Sequence, residues 1–334
     1  MDFSFSEDQR AFSGAIADLF AKHCPPDSVR LAQDSSDGRV PDLWEKLADM
    51  GVVGLAAPEA VGGLGMDELD LVLLLEQMGR ACVPGPIVDH AAVAIPTLAE
   101  IAPTDETLAA AAEGSVTLAV GLGEWTYVLG ASQADYLLLQ SGDELHLVDV
   151  GSVSLSAVRS VDESRRLASV VWSPSSSTLL SADGAVAQRA FDRGVLASAS
   201  VCIGVAQQLL DMTVAYVAVR EQFGKPVGVN QAVKHHCANM GLAIEFARPL
   251  VYQASWALAH RTDHAGRDVS AAKVLASDAA DLAARLSLQC HGAVGYTVEY
   301  DLQLWLKRAW AVSAAWGSAD YHRRRVADSV LGAC

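Results

Sequence analysis

The sequence predicts a mainly helical protein with a small β-domain set into its middle. Long apolar segments with helical spacing fill roughly the first 100 and the last 150 residues. Between about 115 and 180, short runs rich in valine and leucine are broken by glycine, serine and aspartate, which is the texture of strands and tight turns. A chain of 334 residues is long enough for two or three domains. The expected division is an N-terminal helical domain over 1–112, a reduced β-domain over 113–182 and a C-terminal helical bundle over 183–334.

At the N-terminus, SEDQRAFSGAIADLFAKH offers Ser6 as an N-cap and spaces Phe12, Ile16, Leu19 and Phe20 on one face. PDLWEKLADMG carries Leu43, Trp44 and Leu47 and stops at Gly51, which suits a left-handed C-cap. A turn with Gly62, Gly63 and Gly65 leads into the strong helix DELDLVLLLEQMGRA. The apolar helix PIVDHAAVAIPTLAEI is expected to be interrupted at Pro96. Strands are expected in SVTLAVG, DYLLLQS, DELHLVDVG and LASVVWSP. From about 185 the helices return and lengthen: DRGVLASASVCIGVAQQLLDMTVAYVAVR, then NQAVKHHCANMGLAIEFARPLVYQASWALAH, which Pro249 should kink unless a missing hydrogen bond accommodates it, then DVSAAKVLASDAADLAARLSLQCHG. VEYDLQLWLKRAW and DYHRRRVADSVL close the chain. Their apolar faces should pack as a four-helix bundle with one face left for another subunit.

Composition narrows the function. A 51% hydrophobic, 19% charged chain is well packed rather than disordered. A formal charge of −16 argues against nucleic acid, whose binding needs a basic face. No apolar run stands out at the roughly 18 residues of a membrane span, and the start has no export pattern, so the expectation is a cytoplasmic protein with no membrane contact. The six cysteines, at 24, 82, 202, 237, 290 and 334, have no metal-ligand spacing and read as reduced thiols.

Two turns carry the chemistry. In YVAVREQFGKPVGVNQAV, an arginine, a glutamine and a phenylalanine precede a glycine, and together they suit a pyrophosphate and the ring of a nucleotide. An interhelical loop with an incidental surface arginine fits the same residues. In QCHGAVGYTVEYDL, Gly292 and Gly295 let backbone approach a ligand closely, yet a glycine cap and connector would look the same. No strand precedes those glycines, so a dinucleotide fingerprint is rejected.

Taken together and in order with LADMGVVGLAAPEAVGGLG and VDESRRLASV, these stretches resemble the acyl-CoA dehydrogenase family. The resemblance spans most of the chain, and REQFGKPVGVNQAV and QCHGAVGYTVEYDLQLWLKRA are its most specific parts. It implies the three-domain order above, FAD, an acyl-coenzyme A thioester and oxidation of its α–β carbon bond. It also implies an electron-transfer flavoprotein as acceptor. The R-x-Q-F-G turn and the Gln-Gly turn of such proteins reach the FAD of the neighbouring subunit, which assigns Arg220, Gln222, Phe223, Gln289, Gly292 and Ala293 to cofactor binding. Ala293 replaces a second glycine but stays small.

The departures are as informative. Where the resemblance places a catalytic glutamate, this chain reads AAWGS, with Trp316 at the position of the base. Indole has no basic lone pair, so it cannot take an α-proton. At the alternative position used by a branch of the family stand Ala259 and His260, leaving His260 as the one non-standard base. The flavin-ring segment of the middle domain, expected near residue 120, is missing from TLAVGLGEWTYVLGASQADYLLL. No catalytic residue is therefore assigned. The expectation is a short subunit of a heteromeric, α2β2 acyl-CoA dehydrogenase, with FAD at the heterodimer interface and the flavin pocket and base on an acyl-CoA dehydrogenase-like partner. Short pairs of this kind in actinobacterial steroid side-chain degradation are similar in sequence. A homomeric enzyme using His260 and a non-catalytic scaffold paralogue are the alternatives.

Overall fold

The computed structural model describes residues 4–123 and 127–332. Helix α1 (Glu7–His23) opens on Ser6, whose hydroxyl accepts from the Gln9 amide at 3.1 Å while the Gln9 side chain accepts from Ser6 N–H at 2.9 Å. That reciprocal cap fixes the start, and Ile16 and Phe20 enter the core with Phe12 and Leu19 beside them. Helix α2 (Pro26–Asp34) has its proline in the first turn, where a missing N–H costs nothing. Helix α3 (Leu43–Asp49) buries Leu43, Trp44 and Leu47 and ends as expected, with Gly51 at φ +74°. Helix α4 (Glu68–Arg80) is capped by Asp67.

Pro96 does not break its segment. Helices α5 (Ile87–Asp89) and α6 (Ile95–Ile101) join through a π-turn, His90–Ala94, where Ile95 N–H bonds to the His90 carbonyl. The wider turn shifts the hydrogen-bond ladder by one residue just before the proline, so the ring falls in the first turn of α6. Helix α7 (Glu106–Ala112), like α2, is a short addition to the expected set.

Among the described residues the β-domain has seven short strands: β1 (Leu118–Gly121), β2 (Tyr127–Leu129), β3 (Tyr136–Ser141), β4 (Glu144–Asp149), β5 (Ser154–Val158), β6 (Leu167–Val171) and β7 (Leu179–Ser181). One sheet runs β1-β3-β4-β7 with β1 and β3 parallel; the other runs β2-β6-β5, all antiparallel. Leu118, Val120, Leu138 and Leu145 pack on α6, α7 and the start of the next helix. Ala119, Leu137, Leu139 and Val148 face Val128 and Ala168 of the second sheet. Burial on both faces explains why β3 reads as a continuous leucine run.

The last part is helix α8 (Gly184–Val219), a hairpin of β8 (Glu221–Gln222) and β9 (Lys225–Pro226), then α9 (Gln231–Ala259), α10 (Ala265–His291), α11 (Leu302–Ala314) and α12 (Ala319–Leu331). Pro249 sits inside a continuous α9 on an exposed face, where the carbonyl it leaves unpaired can meet water. By composition alone, α8 does contain an 18-residue window apolar enough to cross a membrane, contrary to the sequence expectation; 72% of that window is buried inside the protein. Its apolarity serves the core, because α8 is packed by α4, α9, α10 and α11. Helices α4 and α8 cross at Gly79 and Gly204, where an added Cβ would lie 2.3 Å from the Val201 carbonyl oxygen and 1.9 Å from that of Glu76. Buried Arg193 of α8 ties the same region electrostatically, pairing with Glu68 at 2.8 Å and Glu100 at 3.0 Å.

Candidate functional site

The two expected ligand turns lie at one end of the bundle. The C-terminus of α8 delivers Arg220 as its cap, and the chain reverses through Phe223 and Gly224 at φ +55° and +74° between β8 and β9. Two positive φ values in a two-residue loop are the signature of a type I′ turn, which favours Asn-Gly. A phenylalanine in the first of those positions carries strain of about 1–3 kcal/mol. Its ring is 99% exposed, so no packing within the chain offsets that strain. Arg220 is exposed and, among the described residues, its guanidinium makes no hydrogen bond or ion pair. Gln222 is exposed too and only reaches back to the Glu221 carbonyl at 2.8 Å. An apolar cleft of about 440 Å³, lined by Val214, Val217, Val229 and Val233 with Lys234 at its edge, opens beside the hairpin.

Tyr216, one helical turn before Arg220, stacks on His291 with ring centroids 4.3 Å apart and meets Tyr300 edge-on at 6.1 Å. That stack brings the end of α10 against the end of α8. Gln289 is exposed there, and Gly292 has φ +65° and ψ −142°, a conformation open to glycine alone. Nothing lies within 4 Å of where its Cβ would stand, so the backbone is free to be approached. Ala293 is exposed beside it, and the Nε2 of buried His291 has no partner among the described residues. A free cation, an open glycine backbone, an exposed amide and an orphaned ring nitrogen suit a pyrophosphate and its nucleoside.

The other expected region behaves differently. Trp316 takes φ +57°, and its indole lies against α8 at Gly194, where a Cβ would come within 2.4 Å of the ring. The Trp316 carbonyl accepts from His322 Nε2 at 2.8 Å. The indole borders the same space as Asp89 of α5, a residue that sequence reasoning did not single out. The signal was present: Asp89 is an acid set within the apolar run PIVDHAAVAIP, and in the fold it is only 5% exposed. Asp89, Trp316 and Arg165 line a cavity of about 400 Å³ whose other walls include Val120, Leu122, Leu129 and Leu167 together with Tyr127 and Ser160. Burial pushes the Asp89 carboxyl up to about 6 against the charge of Arg165. His260 is not among the cavity's walls. It sits exposed at the end of α9, stacked on Trp256 at 4.4 Å with Nδ1 bonded to the Trp256 carbonyl. Glu124–Thr126, within the stretch that was expected to lack the flavin-ring segment, and Cys334 fall outside the described residues.

Two buried histidines make stability depend on pH. Burial holds both His90 and His322 at about 4. His90 is built in as the Nε2–H tautomer, donating to the Ala111 carbonyl at 3.2 Å and accepting from Leu118 N–H at 3.1 Å. A folded value below the ordinary 6.5 means that their contribution is full above pH 6.5 and is lost as the pH falls from 6.5 toward 4. Asp89, raised instead, works the opposite way between 3.8 and 6. At about 1.4 kcal/mol per pKa unit the two histidines outweigh it. Urea midpoints should therefore fall between pH 7 and pH 5, and His90→Gln should flatten that slope by about half.

Comparison with known proteins bears on the family and the fold. Residues 6–107 match the family model for the acyl-CoA dehydrogenase N-terminal domain, and residues 183–331 that for the C-terminal domain. Acyl-CoA dehydrogenase IpdE2 of Mycolicibacterium smegmatis is 32% identical over 98% of this chain and 100% of its own length. Acyl-CoA dehydrogenase FadE34 of Mycobacterium tuberculosis is 34% identical over 85% of this chain and 42% of its own. Among solved structures, a chain of the ChsE4-ChsE5 complex from Mycobacterium tuberculosis superposes with a TM-score of 0.90 at 24% identity, over all of both chains. One described as the Tcur3481-Tcur3483 steroid ACAD reaches 0.87 at 25% identity, covering 97% of this chain and 98% of that one. The chain belongs to the acyl-CoA dehydrogenase family, and its mainly helical fold with small central sheets is the fold of that family.

Proposed function

We propose that this chain is one subunit of a heteromeric, cytoplasmic acyl-CoA dehydrogenase of α2β2 type that oxidises the α–β bond of an acyl-CoA thioester, a steroid side-chain ester being the favoured substrate class. The observation that carries the reading is the hairpin tip. Phe223 is strained and 99% exposed beside an unpaired Arg220, an arrangement that is costly to the isolated chain and useful only against a ligand held by another protein. FAD is the cofactor these residues fit: Arg220 and Gln222 would meet the pyrophosphate, Phe223 would pack on the nucleoside, and Gln289 with the Gly292–Ala293 backbone would hold the adenosine end. The flavin would supply the acceptor for the hydride leaving the thioester. The partner, itself acyl-CoA dehydrogenase-like, supplies the flavin-ring pocket and the proton acceptor, since position 316 here holds an indole, which has no basic lone pair. An electron-transfer flavoprotein takes the electrons onward. The full-length likeness to acyl-CoA dehydrogenase IpdE2 supports the reaction, and the 25% identity to the Tcur3481-Tcur3483 steroid ACAD supports the substrate class. The exposed position of His260, away from the cavity, weighs against the homomeric alternative.

Co-expression with a second acyl-CoA dehydrogenase chain, followed by the flavin-to-protein ratio, tests the proposal. The complex should carry one FAD per pair of unlike chains, and this chain purified alone should carry none. Loss of a desolvated guanidinium–phosphate contact is worth about 2–3 kcal/mol, so Arg220→Ala should weaken FAD binding to the complex roughly 30- to 150-fold. Phe223→Asn should separate fold from function: it suits the turn and should raise stability by about 1 kcal/mol while lowering flavin retention. Stoichiometric flavin and thioester oxidation by the lone chain would overturn the reading, and flavin content indifferent to Arg220→Ala would favour the scaffold.

A further inference from the structure

Two half-buried cysteines face each other at one end of the bundle. Helices α9 and α10 run antiparallel: Gln253 reaches Asp268 at 2.9 Å near the turn that joins them, and Ser287 meets Met240 at 3.5 Å toward the far end. Cys237 stands three residues before Met240 and Cys290 three after Ser287, so both lie one turn farther along that seam. Their thiols are near enough that each alters the other's hold on its proton. Both helices bury alanines in the core they share, Ala247 and Ala254 from α9 and Ala276 and Ala283 from α10. Small side chains let helix axes draw close, and a disulfide needs that closeness, because it spans at most about 7 Å between Cα atoms. Access sets this pair apart. Cys24, Cys82 and Cys202 are 3%, 1% and 0% exposed. Cys237 instead lines the open apolar cleft beside the hairpin, and Cys290 adjoins exposed Gln289. A reagent entering the cleft meets one thiol with a second behind it.

We infer that Cys237 and Cys290 are a thiol–disulfide exchange site, which small disulfides such as oxidised glutathione close into a latch between α9 and α10. The Cys237 thiolate attacks one sulfur of the glutathione disulfide, whose S–S bond breaks. One glutathione leaves as a thiolate and takes up the proton that Cys237 gave to solvent, and a mixed disulfide remains. Cys290 then loses its proton and attacks the Cys237 sulfur, expelling the second glutathione, which takes that proton. Two cysteine thiols are oxidised to one disulfide, and one glutathione disulfide is reduced to two thiols. Burial raises both cysteines, Cys290 to about 11 with Cys237 adding to the rise. Exchange is therefore slow at neutral pH and quickens by about tenfold per pH unit as thiolate forms. Once closed, the latch ties to α9 the last turn of α10, which carries Gln289 and leads into Gly292. The site does not depend on the flavin proposal.

Incubating the full chain, in its purified assembly, with oxidised glutathione at pH 8 and mapping its peptides by mass spectrometry tests the inference. The expected product is a Cys237–Cys290 linked peptide pair, two hydrogens lighter than its parts, with no glutathione on either residue and full reversal by reduced glutathione. Cys24, Cys82 and Cys202 should stay unmodified, and the map assigns Cys334 separately. Cys290→Ser should trap the first step and leave glutathione on Cys237. Lasting glutathione adducts on both cysteines of the unsubstituted chain would overturn the pairing, and no change at either after a day at pH 9 would overturn the site. Flavin content plays no part in these readouts, so failure of this inference and failure of the flavin reading are told apart.

Discussion

Gly204→Val is expected to destabilise the protein by about 3 kcal/mol or more, one of the two largest effects of any single substitution proposed for it. The reason is backbone against backbone. A Cβ at 204 would stand 1.9 Å from the Glu76 carbonyl oxygen and 2.8 Å from the Arg80 nitrogen, and neither can move without displacing α4 as a whole. Parting the helices would also loosen buried Leu75, Val201 and Val205 around the crossing. The glycine's freedom of φ is not involved, since residue 204 is ordinary helix. Gly14 of α1 provides the contrast. Nothing lies within 4 Å of its Cβ position, so Gly14→Ala should gain up to about 1 kcal/mol from helix propensity. Urea denaturation of both variants checks the pair, and an unchanged midpoint for Gly204→Val would show that the helices do not cross so closely.

Asp162→Ala should cost about 3–5 kcal/mol. Asp162 and Arg308 are 1% and 4% exposed and are paired directly. Arg308 also donates to the Val83 carbonyl at 2.8 Å and to the Ser164 hydroxyl at 2.9 Å, and Ser164 in turn donates to Asp162 at 2.7 Å. One guanidinium thus joins the segment after α4, the loop before β6 and helix α11. Burial acts to raise the Asp162 carboxyl, but the charge of Arg308 and its hydrogen bonds prevail and hold it below the ordinary carboxylate range. Its contribution is therefore full above about pH 4 and is lost only as the pH falls through that lowered value. Removing the carboxylate strands a buried cation. Arg308→Met added to Asp162→Ala should recover part of the loss, because the stranded charge goes with it. A double variant no more stable than the single one would mean that packing, not charge, is the cost.

Much of this was legible in the residues. Ser6 caps α1 as the sequence proposes, and Gly51 closes α3, because both depend on local geometry that a few residues determine. The strands that escaped notice were β2, β5 and β7. Their burial alternates weakly, and Ser154–Val158 has no fully buried position, so there was little hydrophobic rhythm to read. The π-turn at His90–Ala94 was hidden because a proline signals interruption, whereas a shift of one residue in the ladder lets the helix run on. Arg220 and Gln289 were legible as motifs, yet their convergence at one end of the bundle depends on the Tyr216–His291 stack between residues far apart in sequence. The Asp89–Arg165–Trp316 corner was illegible for the same reason: it assembles from three distant segments and exists only once the layers have packed.

The way Trp316 is seated makes the present arrangement hard to undo. Returning a glutamate to that position would empty the space that Gly194 leaves for an indole and would set a second carboxyl next to Asp89. No single codon change leads back to a working proton acceptor; each intermediate along such a path would have to tolerate a hole in its interior or a clash of like charges. On the proposed heteromeric reading, specialisation of this kind acts as a ratchet, binding the lineage of this polypeptide to that of its companion.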